Sequence, residues 1–405
     1  MSMNRFGEKV ICNPKVKLKK QEVYPLIDID KIQPQFKTVK NVEEVEYTGQ
    51  SCSKFQDHDI LFARITPCLE NGKVAIASTN GQDGVGSTEL FVFRGIHGIT
   101  NTDYVYYLLC TSYMRQLASN SMTGASGRQR ADLTFIKKIK WQFPEIEKQE
   151  RIAQILSQYD LLIEINNKRI KVLEQIAENL YKEWFVRFRF PGHETTEFEN
   201  GIPKAWCYVK LVEAVTFIDG DRGSNYPTQD EFSEDGYCLF LNAGNVTKSG
   251  FDFTNCSYIT KEKDTLLKKG KLNYGDVVLT TRGTVGNSAF YNTNIKNKNV
   301  RINSGMVIIR GKELLSSEYI YTLLNDDYIK AMISLYSSGS AQPQLPIKDL
   351  KRIRILIPNE KTMKQFTELV KKIYDEISIV NMCNLSIIKQ RDLLLPRLMS
   401  GKLEV

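Results

Sequence analysis

Residues Pro144 to Phe188 read PEIEKQERIAQILSQYDLLIEINNKRIKVLEQIAENLYKEWFVRF, with no Gly or Pro between the first residue and the last. Nothing in the run stops a helix. Ile152, Tyr159, Asn166, Leu173 and Leu180 recur every seventh residue, flanked by Ile155, Leu156, Leu162, Ile163, Ile170, Ile176 and Trp184, while the intervening positions are charged or polar. The spacing predicts one long helix with a coiled-coil seam. About 40 residues at ~1.5 Å each would span roughly 60 Å, more than a small domain needs, so the helix requires a partner of similar length.

The partner lies in the same chain. A shift of 214 places carries Pro144 to Pro358, and Ile152, Tyr159, Asn166, Leu173 and Leu180 to Phe366, Ile373, Val380, Ile387 and Leu394. Ahead of the helices, Ile136, Ile139, Trp141 and Phe143 map to Leu350, Ile353, Ile355 and Ile357, and Tyr104, Leu108 and Leu109 map to Tyr319, Leu323 and Leu324 one place further on. The match is of pattern rather than identity, and it predicts a tandem duplication in which each half is a globular domain followed by a long helix. The expected parts are a first domain over 1–143, a helix over 144–188, a linker and second domain over 189–357, and a helix with its tail over 358–405.

Within the first half, residues 1–22 are basic and broken by Pro14, and read as a lead-in to a domain starting near Val23. Short apolar runs follow, DILFARI, KVAIAS and ELFVFRG, separated by turn signals that include DGVGS. That is a mostly β pattern. A helix is expected over DYVYYLLCTSYMRQLASN, then a polar loop, SMTGASGRQRADL, then a strand in IKKIKWQFP. The second half repeats the plan after PGHETTEFENGIPKAW, with strands in GDVVLTTRGTVGNSAFY and GMVIIRG, a helix in SEYIYTLLNDDYIKAMI, a loop, SSGSAQPQ, and a strand in RIRILIP. SGRQRAD and SAQPQLP occupy the same place in the two halves yet carry different hydrogen-bonding groups, as two copies of a scaffold reading different things would.

Composition narrows the function classes. The chain has 405 residues, 42% hydrophobic and 25% charged, which suits an ordinary globular protein of two or three domains. No run of ~18 apolar residues is present and MSMNRFGEKV lacks a signal-peptide core, so a cytoplasmic protein with no membrane partner is expected. The eight cysteines form no CxxC pair, which predicts reduced thiols rather than a zinc site or disulfide frame. A net charge of +8 suits a polyanion ligand without requiring one. None of the three histidines, His58, His97 and His193, sits in a GxSxG or HExxH context, and neither GQDGVG nor RGTVGN has the lysine of a nucleotide-binding loop. Both glycine-rich pieces read as hairpin turns.

Several segments together resemble the specificity subunits of type I restriction-modification enzymes: PEIEKQERIAQIL, ENLYKEWFVRFRFPGHE and the C-terminal RDLLLPRLMSGKLEV, with GDVVLTTRGTVGNSAF, GSAQPQLPIKDL, DILFARITPCLENGKVAIAS and GASGRQRADLTFIKKI. The resemblance spans nearly the whole chain. It implies an α+β fold with two similar target-recognition domains, mostly β with helices, separated by two long helices that pair as an antiparallel coiled coil. Only the resemblance chooses antiparallel over parallel, and Asn166 is a candidate for setting the register. The implied function is non-catalytic: each recognition domain reads one half of a bipartite target in double-stranded DNA, while the helices set the spacer and dock two methyltransferase subunits. Restriction and translocase subunits complete the assembly. No cofactor is expected in this chain, S-adenosylmethionine, ATP and Mg belonging to the partner subunits; no NPPY or DPPY motif of a methyltransferase is present.

Arginine pairs with guanine and Asn or Gln with adenine, so the expected DNA-binding side chains are those on polar loops. They are Arg64, Arg128, Gln129 and Arg130 in the first domain, and Arg222, Arg282, Asn287, Gln342 and Gln344 in the second. The alternative from another class is a coiled-coil scaffold that assembles enzymes without sequence-specific DNA binding.

Overall fold

A computed structural model describes residues 3–34, 36–40, 43–124, 128–313, 315–337 and 343–405. The chain forms two compact units, the first of Met1–Asn167 with Cys383–Val405 and the second of Lys168–Met382. The division cuts both long helices, Ile146–Tyr181 and Glu360–Met399, because each half-helix is packed into the core beside it rather than standing clear of it.

The first unit is organised by a five-stranded sheet in the order Val10–Cys12, Leu90–Gly95, Ile60–Ala63, Val74–Ser78, Thr38–Lys40; the last pairing is parallel and the others antiparallel. Its strands read as unbroken apolar runs because both faces are covered. Ile60 and Phe62 face a core with Tyr104, Leu108, Ile136, Ile152 and Leu156, whereas Leu61 and Ala63 face Ile27, Val39 and Phe55. A second sheet has the order Glu43–Tyr47, Glu22–Ile27, Gly84–Gly86, Ser53–Phe55.

Three expectations are corrected here. The segment before Val23 is no mere lead-in, since Val10–Cys12 forms the edge of the main sheet and Phe6 is fully buried against Phe93, their ring centroids 5.5 Å apart. Gly84–Gly86 is a buried central strand rather than a turn; a Cβ on Gly84 would lie 2.4 Å from the Phe55 ring, and one on Gly86 would lie 2.9 Å from the Ile27 carbonyl. Glycine is what lets that backbone pass. Residues Leu133–Lys138, of which Ile136 to Lys138 were expected to begin a strand, form a helix started by Asp132, whose Oδ1 accepts from Thr134 N at 2.8 Å. Only Lys140–Trp141 pairs, with Asn4–Arg5.

The second unit repeats this frame. Its four-stranded sheet runs Val215–Asp219, Met306–Gly311, Asp276–Thr280, Ser288–Tyr291, all antiparallel, and again both faces are covered: Val277 and Val307 on one, Val278 and Ile308 on the other. A three-stranded sheet, Tyr258–Ile259, Cys238–Leu241, Val300–Ile302, lies in the same unit. In both units the expected single helix is two. Thr111 separates Thr102–Cys110 from Ser112–Asn120, and Asp326 separates Ser317–Asn325 from Asp327–Tyr336. Both break residues have extended backbone (ψ 145° and 143°) and cap the helix that follows, through Thr111 Oγ1 to Met114 N and Asp326 Oδ1 to Tyr328 N.

The long helices are antiparallel within each unit. In the first, Asp160 pairs with Arg391 at 2.6 Å and Asn166 donates to Asn384 at 2.8 Å, so one number rises as the other falls. In the second, Arg169 meets Glu376 at 2.6 Å and Trp184 meets Phe366 with centroids 5.7 Å apart. Asn166 therefore faces another asparagine, and Asn384 in turn donates to Asn167 at 3.0 Å. The fully buried line on the first helix is Leu156, Ile163, Ile170, Ala177 and Trp184, not the line through Tyr159, Leu173 and Leu180, which are half-buried. Packing against a globular core as well as a helix moves the buried face round toward the core.

The first long helix also carries a second apolar stripe. Leu161 and Ile165 in the first unit, and Val172 and Ile176 in the second, are 56%, 50%, 59% and 47% exposed. At about 100° per residue, Leu161 and Ile165 lie nearly opposite Ile163. Leu162 and Ile176, expected on the seam, are likewise exposed.

Candidate nucleic-acid interface

In each unit the loop leaving the central strand is tied to the loop that follows the helix pair. In the first, Arg64 O accepts from Ala131 N at 2.8 Å, Thr66 N donates to Gln129 O at 3.0 Å, and Ile65 bridges Arg130. In the second, Thr281 O accepts from Leu345 N at 2.9 Å and Arg282 bridges Gln344. The backbone arrangement is shared, and the side chains presented on it are not.

On the first unit's loops the charge is partly neutralised internally. Arg130 donates through Nε and Nη2 to Glu89 at 2.5–3.0 Å, and Arg64 lies 3.6 Å from the same carboxylate with its guanidinium over the Phe91 ring at 5.3 Å. The Arg130 hydrogen bonds hold the Glu89 carboxyl below the usual carboxylate range, against a smaller effect of burial. Gln129 is half-buried and its backbone N donates to Thr66 Oγ1 at 3.1 Å. Arg128 is exposed. Arg64 and Arg130 thus come together around one carboxylate, with Gln129 tied to Thr66 beside them, leaving Arg128 as the projecting cation.

In the second unit Arg282 and Gln344 are both exposed on their shared bridge. Arg222 sits apart, 3.7 Å from Asp219 and donating to Ser304 O at 3.4 Å. Asn287 closes the turn after Arg282, where Gly283 and Gly286 take φ of 74° and 91°. Its Nδ2 donates to Val246 O at 3.0 Å. Gln342 lies outside the described residues.

Structure adds residues that sequence reasoning missed. An open groove runs between the 283–288 turn and the helix Asp327–Tyr336, with Lys248, Asn325 and Lys330 on its walls. The first unit's counterpart of Lys330 is Arg115, one place off the 214 shift, and its Nη1 is packed 2.6 Å from where a Cβ of Gly72 would sit. No periodicity marks these positions, since they meet from a loop and two successive helices.

Among the described residues no group of three or more His, Cys, Asp or Glu side chains is placed to hold a metal ion. Burial pushes Cys12 up to about 11 and Cys110 and Cys238 up to about 12.

The family model described as the type I restriction modification DNA specificity domain matches the chain twice, over residues 8–175 and 203–388. The chain belongs to that family. The two matched segments of this specificity-domain protein each contain one copy of the sheet and helix pair described above. A relative, the type I restriction enzyme MjaIX specificity subunit of Methanocaldococcus jannaschii, is 28% identical over 372 residues, covering 90% of this chain and 82% of the relative. The HindI specificity subunit of Haemophilus influenzae is 22% identical over 421 residues, covering 90% of each. Among solved structures, the S subunit of the type I restriction-modification system from M. genitalium superposes with a TM-score of 0.53 at 14% identity, over 98% of this chain and 95% of that one. Among the described residues no helix is long and apolar enough to cross a membrane.

Proposed function

We propose that this chain is the DNA-reading subunit of a type I restriction-modification complex, each unit reading one half of a bipartite duplex target. The observation that carries this is the twice-matched specificity domain, built on one frame whose tied loops present Arg128, Gln129 and Arg130 in one copy and Arg282 and Gln344 in the other. A scaffold that never touched DNA would need neither the matched domains nor the divergence of those loops. Lysine and arginine neutralise phosphates, and the loop side chains read base edges. The long helices set the spacer between half-sites, and their exposed apolar stripe, Leu161 and Ile165 in one unit and Val172 and Ile176 in the other, suits the docking of two methyltransferase subunits. Adenine N6 methylation with S-adenosylmethionine belongs to those partners, and ATP- and Mg-dependent translocation and cleavage to restriction subunits. This chain itself is non-catalytic and works in the cytoplasm.

The test is a domain exchange in the complex reconstituted with its methyltransferase partner. Replacing residues 3–143 with the corresponding segment of a relative should change one half of the N6-methyladenine motif and leave the other intact. Change in both halves, or methylation without sequence preference, would sink the proposal.

A further inference from the structure

The groove in the second unit has an unusual hydrogen-bonding polarity. Asparagine ordinarily offers both a donor and an acceptor, and reads adenine with the two together. In Asn325 both donors are already used, and in Asn287 one of the two is. Asn325 Nδ2 donates to Ser288 Oγ and to Tyr321 O, each at 2.9 Å, and Asn287 Nδ2 donates to Val246 O at 3.0 Å. Since Tyr321 and Val246 present carbonyl oxygens, which only accept, the amide orientations are fixed by chemistry: the nitrogen must face the backbone.

Each Oδ1 is left without a donor among the described residues. Neither is sealed from solvent, unlike the partnerless buried atoms Arg64 Nε, Arg115 Nε, Trp206 Nε1 and Asp219 Oδ1. Both residues line the same groove, and both are held rigidly from behind. Ser288 is almost fully buried, Thr280 Oγ1 accepts from Asn287 N at 3.0 Å, and a Cβ on Gly286 would stand 3.3 Å from Ile333, so the turn is set close against the helix. On the groove walls Lys248 and Lys330 are exposed, and neither has a carboxylate within 4 Å among the described residues.

We infer that the groove of the second unit reads an exocyclic amino group, on adenine or cytosine, through Oδ1 of Asn325, with Lys248 and Lys330 on the flanking phosphates. The inference rests on the DNA-reading function proposed above. In the major groove each base pair presents one amino group, the N6 of adenine or the N4 of cytosine, and one keto oxygen, on thymine or guanine. An acceptor whose own amide hydrogens are both engaged, as in Asn325, distinguishes amino from keto. The second half-site should therefore contain a position that tolerates A and C on one strand and rejects G and T, because a keto oxygen there would face Asn325 Oδ1 without a proton between them.

The experiment uses the chain with its methyltransferase partner and duplex DNA carrying the methylated motif. Each adenine or cytosine of the half-site read by the second unit is replaced in turn by purine or pyrimidin-2-one, which lack the amino group; the same analogues placed in the spacer correct for weakened pairing. One half-site position should lose about tenfold in affinity beyond that control. Asn325→Ala should lose nothing further at that position, and should bind A, C, G and T there alike, while every other position stays discriminated. Lys248→Gln and Lys330→Gln should each lower affinity uniformly and reduce the salt slope by about 0.9. The analogue scan leaves the protein unaltered, so a folding defect in a variant cannot mimic its result. Specific binding with no amino-sensitive position in that half-site overturns the groove reading alone; absence of any sequence-specific binding overturns the DNA-reading function and this inference with it.

Discussion

Arg310 donates through Nε and Nη2 to both carboxylate oxygens of Asp276, at 2.7 and 2.8 Å, and Asp276 is almost fully buried. The first unit has the same pairing in Arg94 and Asp59, at 2.6 and 2.7 Å. Each aspartate also closes a turn three residues back, accepting from Asn273 N at 2.7 Å or Gln56 N at 2.8 Å. The ion pair thus survives in both copies of the frame while the loops around it differ.

Removal of either aspartate leaves a half-buried guanidinium unpaired and a turn unclosed. Asp276→Ala should destabilise the second unit by about 2–4 kcal/mol, below the cost of a fully buried pair because Arg310 still reaches water. Asp59→Ala should do the same in the first. Urea unfolding followed by a probe in each unit checks this, and a shift under about 0.5 kcal/mol would show that the pairing is incidental.

Gly84→Ala places a methyl group against the Phe55 ring inside the first unit. A loss of about 1–3 kcal/mol is expected, measured by thermal or urea unfolding. Phe55→Leu combined with it should recover part of the loss, since the clash is with the ring. A double variant no more stable than Gly84→Ala would place the strain elsewhere.

The Glu89 carboxylate is depressed by its Arg130 partner, so its stabilisation is present above the unfolded value of roughly 4.3 and is lost as pH falls through the lower folded value. The stability gap between wild type and Glu89→Gln should be full near pH 6 and shrink below about pH 4.5. The same variant frees Arg130 and Arg64, so non-specific DNA affinity should rise and its salt dependence steepen. An unchanged salt slope would mean that neither arginine reaches a phosphate.

Leu161→Lys and Ile165→Lys alter side chains that are half-exposed on the face away from the first unit's core. Unfolding midpoints should move by less than about 0.5 kcal/mol, as for most surface changes. Association with the methyltransferase partner, measured by calorimetry, should weaken at least about tenfold if that stripe is covered in the complex. Equal affinity with intact folding would place the dock on another surface.

The long helices and the duplication were legible because they depend on local periodicity: Pro144 and Pro358 head matching apolar rows, and Tyr104 and Tyr319 occupy matching buried positions. The strands through Leu61 and Val278 were legible as apolar runs for the same reason. What was hidden depends on contacts between distant residues. Phe6 lies in a basic segment and reads as a tail until its neighbour Phe93 is known. Gly84–Gly86 has turn composition, and only the Phe55 ring explains why glycine occupies a strand. The sequence shows Arg130 as a free cation, since Glu89 is 41 residues away. At the groove, Asn325 lost its donors to Ser288 and Tyr321, a distinction that residue type alone does not carry.

The first compact unit is assembled from two stretches of chain far apart in sequence. Leu398 and Met399 are buried in the same core as Phe6, Ile136 and Leu156, whereas the second unit is one uninterrupted segment. A chain emerging from the ribosome therefore holds every residue of its second unit before the first can be completed. Order of synthesis and order of completion are reversed for these two units, and the one begun first waits for residues 383–405 to seal it. Until they arrive, the core that holds Ile152 and Leu156 lacks Leu398 and Met399 and Asp160 lacks Arg391, so a stalled or 3′-truncated message yields a chain whose second domain is finished and whose first is a substrate for chaperones and proteases.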